Sequence, residues 1–338
     1  METDDLFCQM QDAIDIELRA CIKSILKDYP SEYIEMFHYQ LGWDGEKCSK
    51  DAQGKRIRPL LVLLSCHACG GDWRTALPAA AAVELVHNFS LIHDDIQDRS
   101  EVRRGRPTVW VKWGEAQAIN AGDAMLTVAH LEILQLEESY NHQIVNSAVK
   151  DLQSACLKLT RGQHLDIAFE QEKELSIELY WQMIEGKTSA LLTACFLIGA
   201  LLAGSTEDVL LGMTEYGNTV GAAYQVQDDW LGIWGDMAVT GKSSMSDLIS
   251  KKKTYPVLLG TQHGGGFSRR WNELEGITEQ DAHELTSLLE TENIHKITRQ
   301  KFEELYQQAR AIFIALDFDA QRAAPFRQVV ESLFGRIR

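Results

Sequence analysis

The stretch MIEGKTSALLTACFLIGALLA, residues 183–203, decides the fold class. Its large apolar residues return at spacings of three and four, and small Ala, Gly, Ser and Thr fill the places between them. A helix that is apolar nearly all round is buried on most sides, so other helices must surround it. The same periodicity extends outward over residues 14–26, 60–69, 79–96, 116–136, 144–159 and 209–233. Turn signals separate these runs: Gly70-Gly71-Asp72, Arg104-Gly105-Arg106-Pro107, Ala203-Gly204-Ser205, Gly235-Asp236 and Gly264-Gly265-Gly266. Two-residue alternation is nearly absent, and 6 prolines are few for a sandwich of short strands. Neither a linker nor a fixed-period repeat divides the chain. The expectation is an all-α single domain, residues 1–338, a bundle of about ten or more helices.

Composition narrows the function classes. Lys and Arg total 33 against 49 Asp and Glu, a formal charge of −16, which argues against a general nucleic-acid binder. A hydrophobic share of 45% and a charged share of 24% belong to an ordinary globular chain. The N-terminus METDDLFCQMQDAIDIEL is acidic and unlike a secretory signal. The longest apolar runs read as too short or too interrupted for a transmembrane segment of about 20 residues. Seven scattered cysteines point to a reducing compartment, hence a cytoplasmic location. Cys66 and Cys69 form a CxxC without a second pair to complete a zinc site, and packing is the favoured reading.

Two clusters carry chemistry. In LVHNFSLIHDDIQDRSEVRRGRPT, residues 85–108, Asp94 and Asp98 are four apart and share one helix face. Their repulsion calls for a cation, and oxygen donors without cysteine point to a hard divalent ion, most naturally Mg2+. Asp95 lies off that stripe and is read as supporting it. Arg103 and Arg104 follow as an anion-binding pair, so the substrate should carry phosphate. The second cluster, AAYQVQDDWLGIWGDMAVTGKSSMSDLISKKKTYP over residues 222–256, repeats the pattern: Asp228 and Asp229 on an apolar helix, Asp236 two turns past Asp228, then Lys242 and Lys251–Lys253. Either cluster alone reads as a solvated helix face. Together, with apolar neighbours such as Phe89, Ile92, Val226 and Trp230, they favour a metal–phosphate site.

These residues resemble the trans-isoprenyl diphosphate synthases, the polyprenyl synthetase family, and most of all its geranylgeranyl diphosphate synthases. GKRIRP at 54–59, HDDIQD with RRGRPT, RGQHLD at 161–166, GKTSAL at 186–191, and YQVQDD with KKKTYP form an ordered series of family motifs. The resemblance implies an isoprenoid-synthase fold around a deep central cavity, usually as a homodimer. It implies that Lys55, Arg58, His87 and Arg104 hold isopentenyl diphosphate. It assigns Asp94, Asp98 and Asp228 to three Mg2+ ions, and Arg103, Lys187, Lys242 and Lys252 to the allylic diphosphate. Thr188 and Gln225 would sit beside the reacting carbons. The implied reaction is head-to-tail condensation of isopentenyl diphosphate with an allylic diphosphate.

The chain departs from the family pattern at Gly232, where the second motif usually has a third aspartate, and at Lys251, where a glycine is usual. Asp236 is a candidate to compensate for Gly232. In the family, bulk on the first aspartate helix sets product length. Bulky Phe89 beside small Ser90 favours a C20 product; C15 and C25 synthases, and a non-catalytic partner subunit, stay open as alternatives. Phe89 could instead serve as core packing, with a facing helix near residues 119–126 setting the floor. A class I terpene cyclase would need Asn, Ser or Thr, and Glu at four-residue steps, and Asn218, Ala222 and Val226 do not supply them.

Overall fold

The computed structural model describes residues 2–43, 54–172, 175–235 and 245–335. The all-α expectation holds: helices follow one another along the chain, and the strands among the described residues are Val102–Arg103 and Arg106–Pro107. Two compact units form. One comprises residues 1–153, 195–210 and 318–327; the other comprises 154–194, 211–317 and 328–338.

The first unit is built on the first aspartate helix, Leu77–Gln97. It packs against Glu115–Ile133, Ile57–Ala68 and Glu2–Ile25. Pro78 occupies its first turn, where a missing N–H removes no helical hydrogen bond. Ala79, Ala80, Ala81 and Ala82 are fully buried, so neighbouring helices approach closely on every side. Leu61, Leu63, Leu64, Val83 and Leu85 complete a dry core, each large side chain contributing roughly 1.5–3 kcal/mol on burial. Beyond the helix, Val102 pairs with Pro107 and Arg103 with Arg106 across a two-residue turn. That turn, Arg104-Gly105, has φ of 53° and 71°, the left-handed pair that a tight hairpin requires.

The second unit is built on the second aspartate helix, Glu207–Trp234, and on the C-terminal helices. Ile233, Leu248, Val257, Phe267, Leu285 and Leu289 form one apolar cluster. The chain after residue 260, which carried weak signals, supplies this unit with Gly266–Glu273, Glu279–Thr291 and Ile294–Ala315, while the last helix, Ala320–Leu333, belongs to the first unit up to Arg327. Thr278 and Asp281 cap the second of these reciprocally.

Three sequence readings need correction or completion. The apolar run over 181–202 is not one regular helix. It comprises Ile177–Ile184, a π-helical turn over Glu185–Ser189, and Ala190–Leu202. Counted through that turn, Ile177–Leu202 is long and apolar enough to cross a membrane, as is Trp73–Gln97. Their most apolar windows are 78% and 67% buried in the fold, as core helices are. Cys66 is buried under Gly71, and burial pushes its thiol up to about 12 and that of Cys69 to about 11, which suits packing.

One buried acid in the first unit has a consequence for stability. Glu132 is buried against Cys21 and Glu17 of the N-terminal helix. Burial pushes its carboxyl up to about 7; the Cys21 thiol opposes the shift, and Glu17 and Glu138 add to it. Its folded-state value thus lies above the ordinary 4.5. A raised value means that folding favours the protonated form, so this stability is full below pH 4.5 and is lost as pH rises through about 7. We expect Glu132→Gln to raise stability at pH 8 by on the order of 1 kcal/mol or more and to leave it nearly unchanged at pH 4.5. Urea unfolding of both proteins at the two pH values measures this.

Candidate active site

In the first unit, three acids crowd the negative end of the first aspartate helix. Asp94 and Asp95 lie in its last turn, Asp98 is its C-cap, and that turn holds no basic residue. Carboxylates at a helix C-terminus oppose its dipole, so the sequence has placed them where only a cation stabilises them. The hairpin brings one. Arg103 donates from Nε to Asp95 at 2.7 Å and from Nη2 to Asp94 at 3.3 Å. Asp95 is 2% exposed and is thereby the anchor that orients Arg103; burial pushes its carboxyl up, and Arg103 draws it back.

Below them lies a basic group. Arg58 Nη1 is 3.5 Å from His87 Nε2. Burial, then Arg58, Arg104 and Arg103, hold His87 well below its ordinary value. It is therefore a neutral ring that accepts from Arg58. Arg104 lies against Gly54, where a Cβ would fall 2.7 Å from its guanidinium carbon. Gly54 has φ of 70°, so both shape and backbone require glycine there. Arg56 donates to Asp15 at 2.6 Å and lies over the Trp43 ring. Glu84 is 2% exposed in the middle of an apolar helix; burial pushes its carboxyl up, and Arg56, Asn88, Arg104 and Arg58 draw it back. Nε of both Arg56 and Arg58 is buried without a hydrogen-bond partner, a cradle suited to an anion. Lys55 is exposed beside it. Phe89 is buried and packs edge-on against His93 at 5.1 Å, while the Ser90 hydroxyl donates to the His87 carbonyl.

In the second unit, the π-helical turn displays Lys187 and Thr188. Another stretch of backbone passes in close contact with that turn. A Cβ on Gly162 would lie 2.1 Å from the Lys187 nitrogen, and one on Gly186 would lie 2.5 Å from the Lys158 carbonyl oxygen. Lys187 forms a short ion pair with Asp166. Thr188 donates to Gln225 at 2.7 Å, and Gln225 donates to Asp229 at 2.8 Å. Asp229, 2% exposed, also accepts from the Tyr180 hydroxyl at 2.7 Å and the Tyr255 N–H at 2.8 Å. Burial pushes Asp229 up to about 6, although Lys252 and these donors oppose it. Burial alone would depress Lys252; Asp229, Asp247, Asp166 and Asp228 more than reverse this and hold its ammonium above its ordinary value.

The three consecutive lysines separate. Lys251 reaches the Leu274 carbonyl and Lys253 the carbonyls of Phe169 and Glu172, and Lys252 faces the acids. Lys251 has φ of 53°, the conformation for which glycine is usual at that place. Lys242 and Asp236 lie outside the described residues. Sequence reading placed Asp95 in support of Asp94 and Asp98, but missed Glu84, Tyr180 and Asp229 as organisers of the site. A charge inside an apolar run was the signal for the acids; nothing in the sequence pairs Tyr180 with Asp229.

The acids suit a divalent ion of one kind. No group of three His, Cys, Asp or Glu side chains encloses a metal among the described residues. Mg2+ typically takes one or two carboxylates and completes its shell from substrate phosphate and water. Asp94 with Asp98, and Asp228 by itself, match that sparse donor set.

Comparison with known proteins decides the family. Residues 47–291 match the polyprenyl synthetase family model. The chain belongs to the polyprenyl synthetase family. It is 46% identical over 234 residues to the (2E,6E)-farnesyl diphosphate synthase of Mycobacterium tuberculosis, covering 69% of this chain and 64% of that protein. It is 44% identical over 214 residues to the geranylgeranyl diphosphate synthase of Methanosarcina mazei, covering 63% and 65%. The chain thus spans a little under two thirds of the length of these curated relatives. The solved geranylgeranyl pyrophosphate synthetase of Pyrococcus horikoshii superposes with a TM-score of 0.87 at 28% identity, covering 99% of this chain and 100% of that one.

The Gly162–Gly186 contact yields a prediction. A methyl group cannot be placed against the Lys187 nitrogen, so Gly162→Ala should destabilise the protein by about 1–3 kcal/mol. Alanine at Gly204, which has open space but φ of 74°, should cost about 1 kcal/mol. Chemical unfolding of the two variants compares the terms.

Proposed function

We propose that this chain is a Mg2+-dependent prenyltransferase. It joins isopentenyl diphosphate head-to-tail to an allylic diphosphate and releases a short-chain all-trans prenyl diphosphate. The observation that carries the reading is the pairing of each acid cluster with the cation expected to meet the diphosphate: Arg103 on Asp94 and Asp95, Lys187 on Asp166, Lys252 among Asp229, Asp247 and Asp228. Relatives named farnesyl and geranylgeranyl diphosphate synthases support the substrate class.

In this reading Asp94, Asp98 and Asp228 hold the metal ions. Bound Mg2+ neutralises the diphosphate and makes it a better leaving group. Arg103, Lys187, Lys242 and Lys252 hold the remaining charge of the allylic diphosphate. Lys55, Arg58, His87 and Arg104 take the diphosphate of isopentenyl diphosphate, with neutral His87 as donor or acceptor beside the arginines. The allylic C–O bond breaks and its electron pair leaves with the diphosphate. The π electrons of isopentenyl diphosphate form the new C–C bond, and a proton then passes to the departing diphosphate. The Thr188 hydroxyl and the Gln225 amide lie beside the cation, held in place by Asp229. Apolar side chains such as Phe89 exclude water that would quench it.

Neither compact unit is a contiguous stretch of chain, which supports residues 1–338 acting as one catalytic domain. The family resemblance supports a homodimer, and the charge and cysteine reading supports a cytoplasmic setting. Phe89 beside Ser90 supports the C20 product over C15 and C25.

Purified protein with isopentenyl diphosphate and each allylic primer tests the reading. Elongation by the protein alone is expected, and its absence would point to a partner subunit, the role that Gly232 keeps open. Asp94→Ala should lower turnover at least about a hundredfold without loss of stability, since it relieves acid crowding. Phe89→Ala should lengthen the product; an unchanged product profile by chromatography would place the floor elsewhere.

A further inference from the structure

Position 232 lacks the acid that the second motif usually carries, yet a carboxylate lies there. A Cβ built on Gly232 would fall 2.0 Å from Asp247 Oδ2 and 2.5 Å from its carboxyl carbon. Asp247 belongs to the short helix Ser246–Ile249, 15 residues on. That helix is bracketed by Met245 with φ of 66° and Lys251 with φ of 53°, two left-handed residues that fold the chain tightly back. The Lys252 N–H donates to the Asp247 carbonyl at 2.9 Å, so the turn that aims Asp247 at Gly232 also aims Lys252. The same four-residue step that joins Asp94 to Asp98 joins Asp228 to Gly232. The Asp247 carboxylate therefore lies one turn beyond Asp228 on the same stripe.

Charge agrees with placement. The acids whose field Lys252 feels are, in order, Asp229, Asp247, Asp166 and Asp228.

We propose that Asp247 supplies the acid missing from position 232, and that with Asp228 it holds the divalent ion of the second motif, directly or through its bound water. Gly232 is then the residue that gives this carboxylate room. The inference rests on the prenyltransferase reading and adds a residue to it.

Titration calorimetry with inorganic pyrophosphate, with and without Mg2+, tests it without turnover. Asp247→Asn should weaken Mg2+-dependent pyrophosphate binding at least about tenfold and leave binding without metal no weaker. Gly232→Ala should do the same, because its methyl group displaces the carboxylate. The double variant Gly232→Asp/Asp247→Ala returns an acid to the motif, and should recover most of the loss. Wild-type metal-dependent affinity in both single variants, or no recovery in the double variant, overturns the proposal. A wild-type protein that elongates and binds Mg2+–pyrophosphate while Asp247→Asn binds equally well sinks this inference alone. A wild-type protein that does neither sinks the prenyltransferase reading and this one with it.

Discussion

Acid held in apolar helices is the constraint on which the rest depends. Asp95, Asp229 and Glu84 are each about 2% exposed, and an unpaired buried carboxylate is among the most costly groups a fold can contain. Each is met by several donors or by nearby guanidinium groups: Arg103 at Asp95; Tyr180, Gln225 and the Tyr255 N–H at Asp229; Asn88, with the field of three arginines, at Glu84. In each adjacent pair, Asp94–Asp95 and Asp228–Asp229, the second acid is the buried one, and under the proposed function its neighbour is the one that meets the metal and the substrate.

The second requirement is close backbone approach at the π-helical turn. Gly162 and Gly186 let two backbones pass in contact at that turn, and the turn carries Lys187 and Thr188. The Lys187–Asp166 and Thr188–Gln225 pairs follow from it. Lys187 is thus held in place by the Asp166 carboxylate, and under the proposed function that preorganisation limits the reorganisation needed on substrate binding.

Much of this was legible in the chain. The helical periodicity reported local backbone preference and burial, which act over a few residues. The two acid clusters and their basic partners were legible for the same reason, since Asp94–Asp98 and Arg103–Arg104 are near in sequence. The interruption of the 181–202 helix was not legible, and the backbone that lies against it, at Gly162, is some twenty residues away in the chain. Nor could sequence separate Lys251, Lys252 and Lys253, identical side chains whose roles depend on the left-handed φ of Lys251 and on carbonyls at Phe169, Glu172 and Leu274.

By itself the sequence determined the fold class, the acid–cation grammar and the family, because all three are written in short-range spacing and residue type. Tertiary structure decided which carboxylate of each pair is buried, which of three lysines faces the acids, and which distant residue fills the gap at Gly232. Those outcomes are contacts between segments remote in the chain. Their distances are set by packing, and no local pattern encodes them.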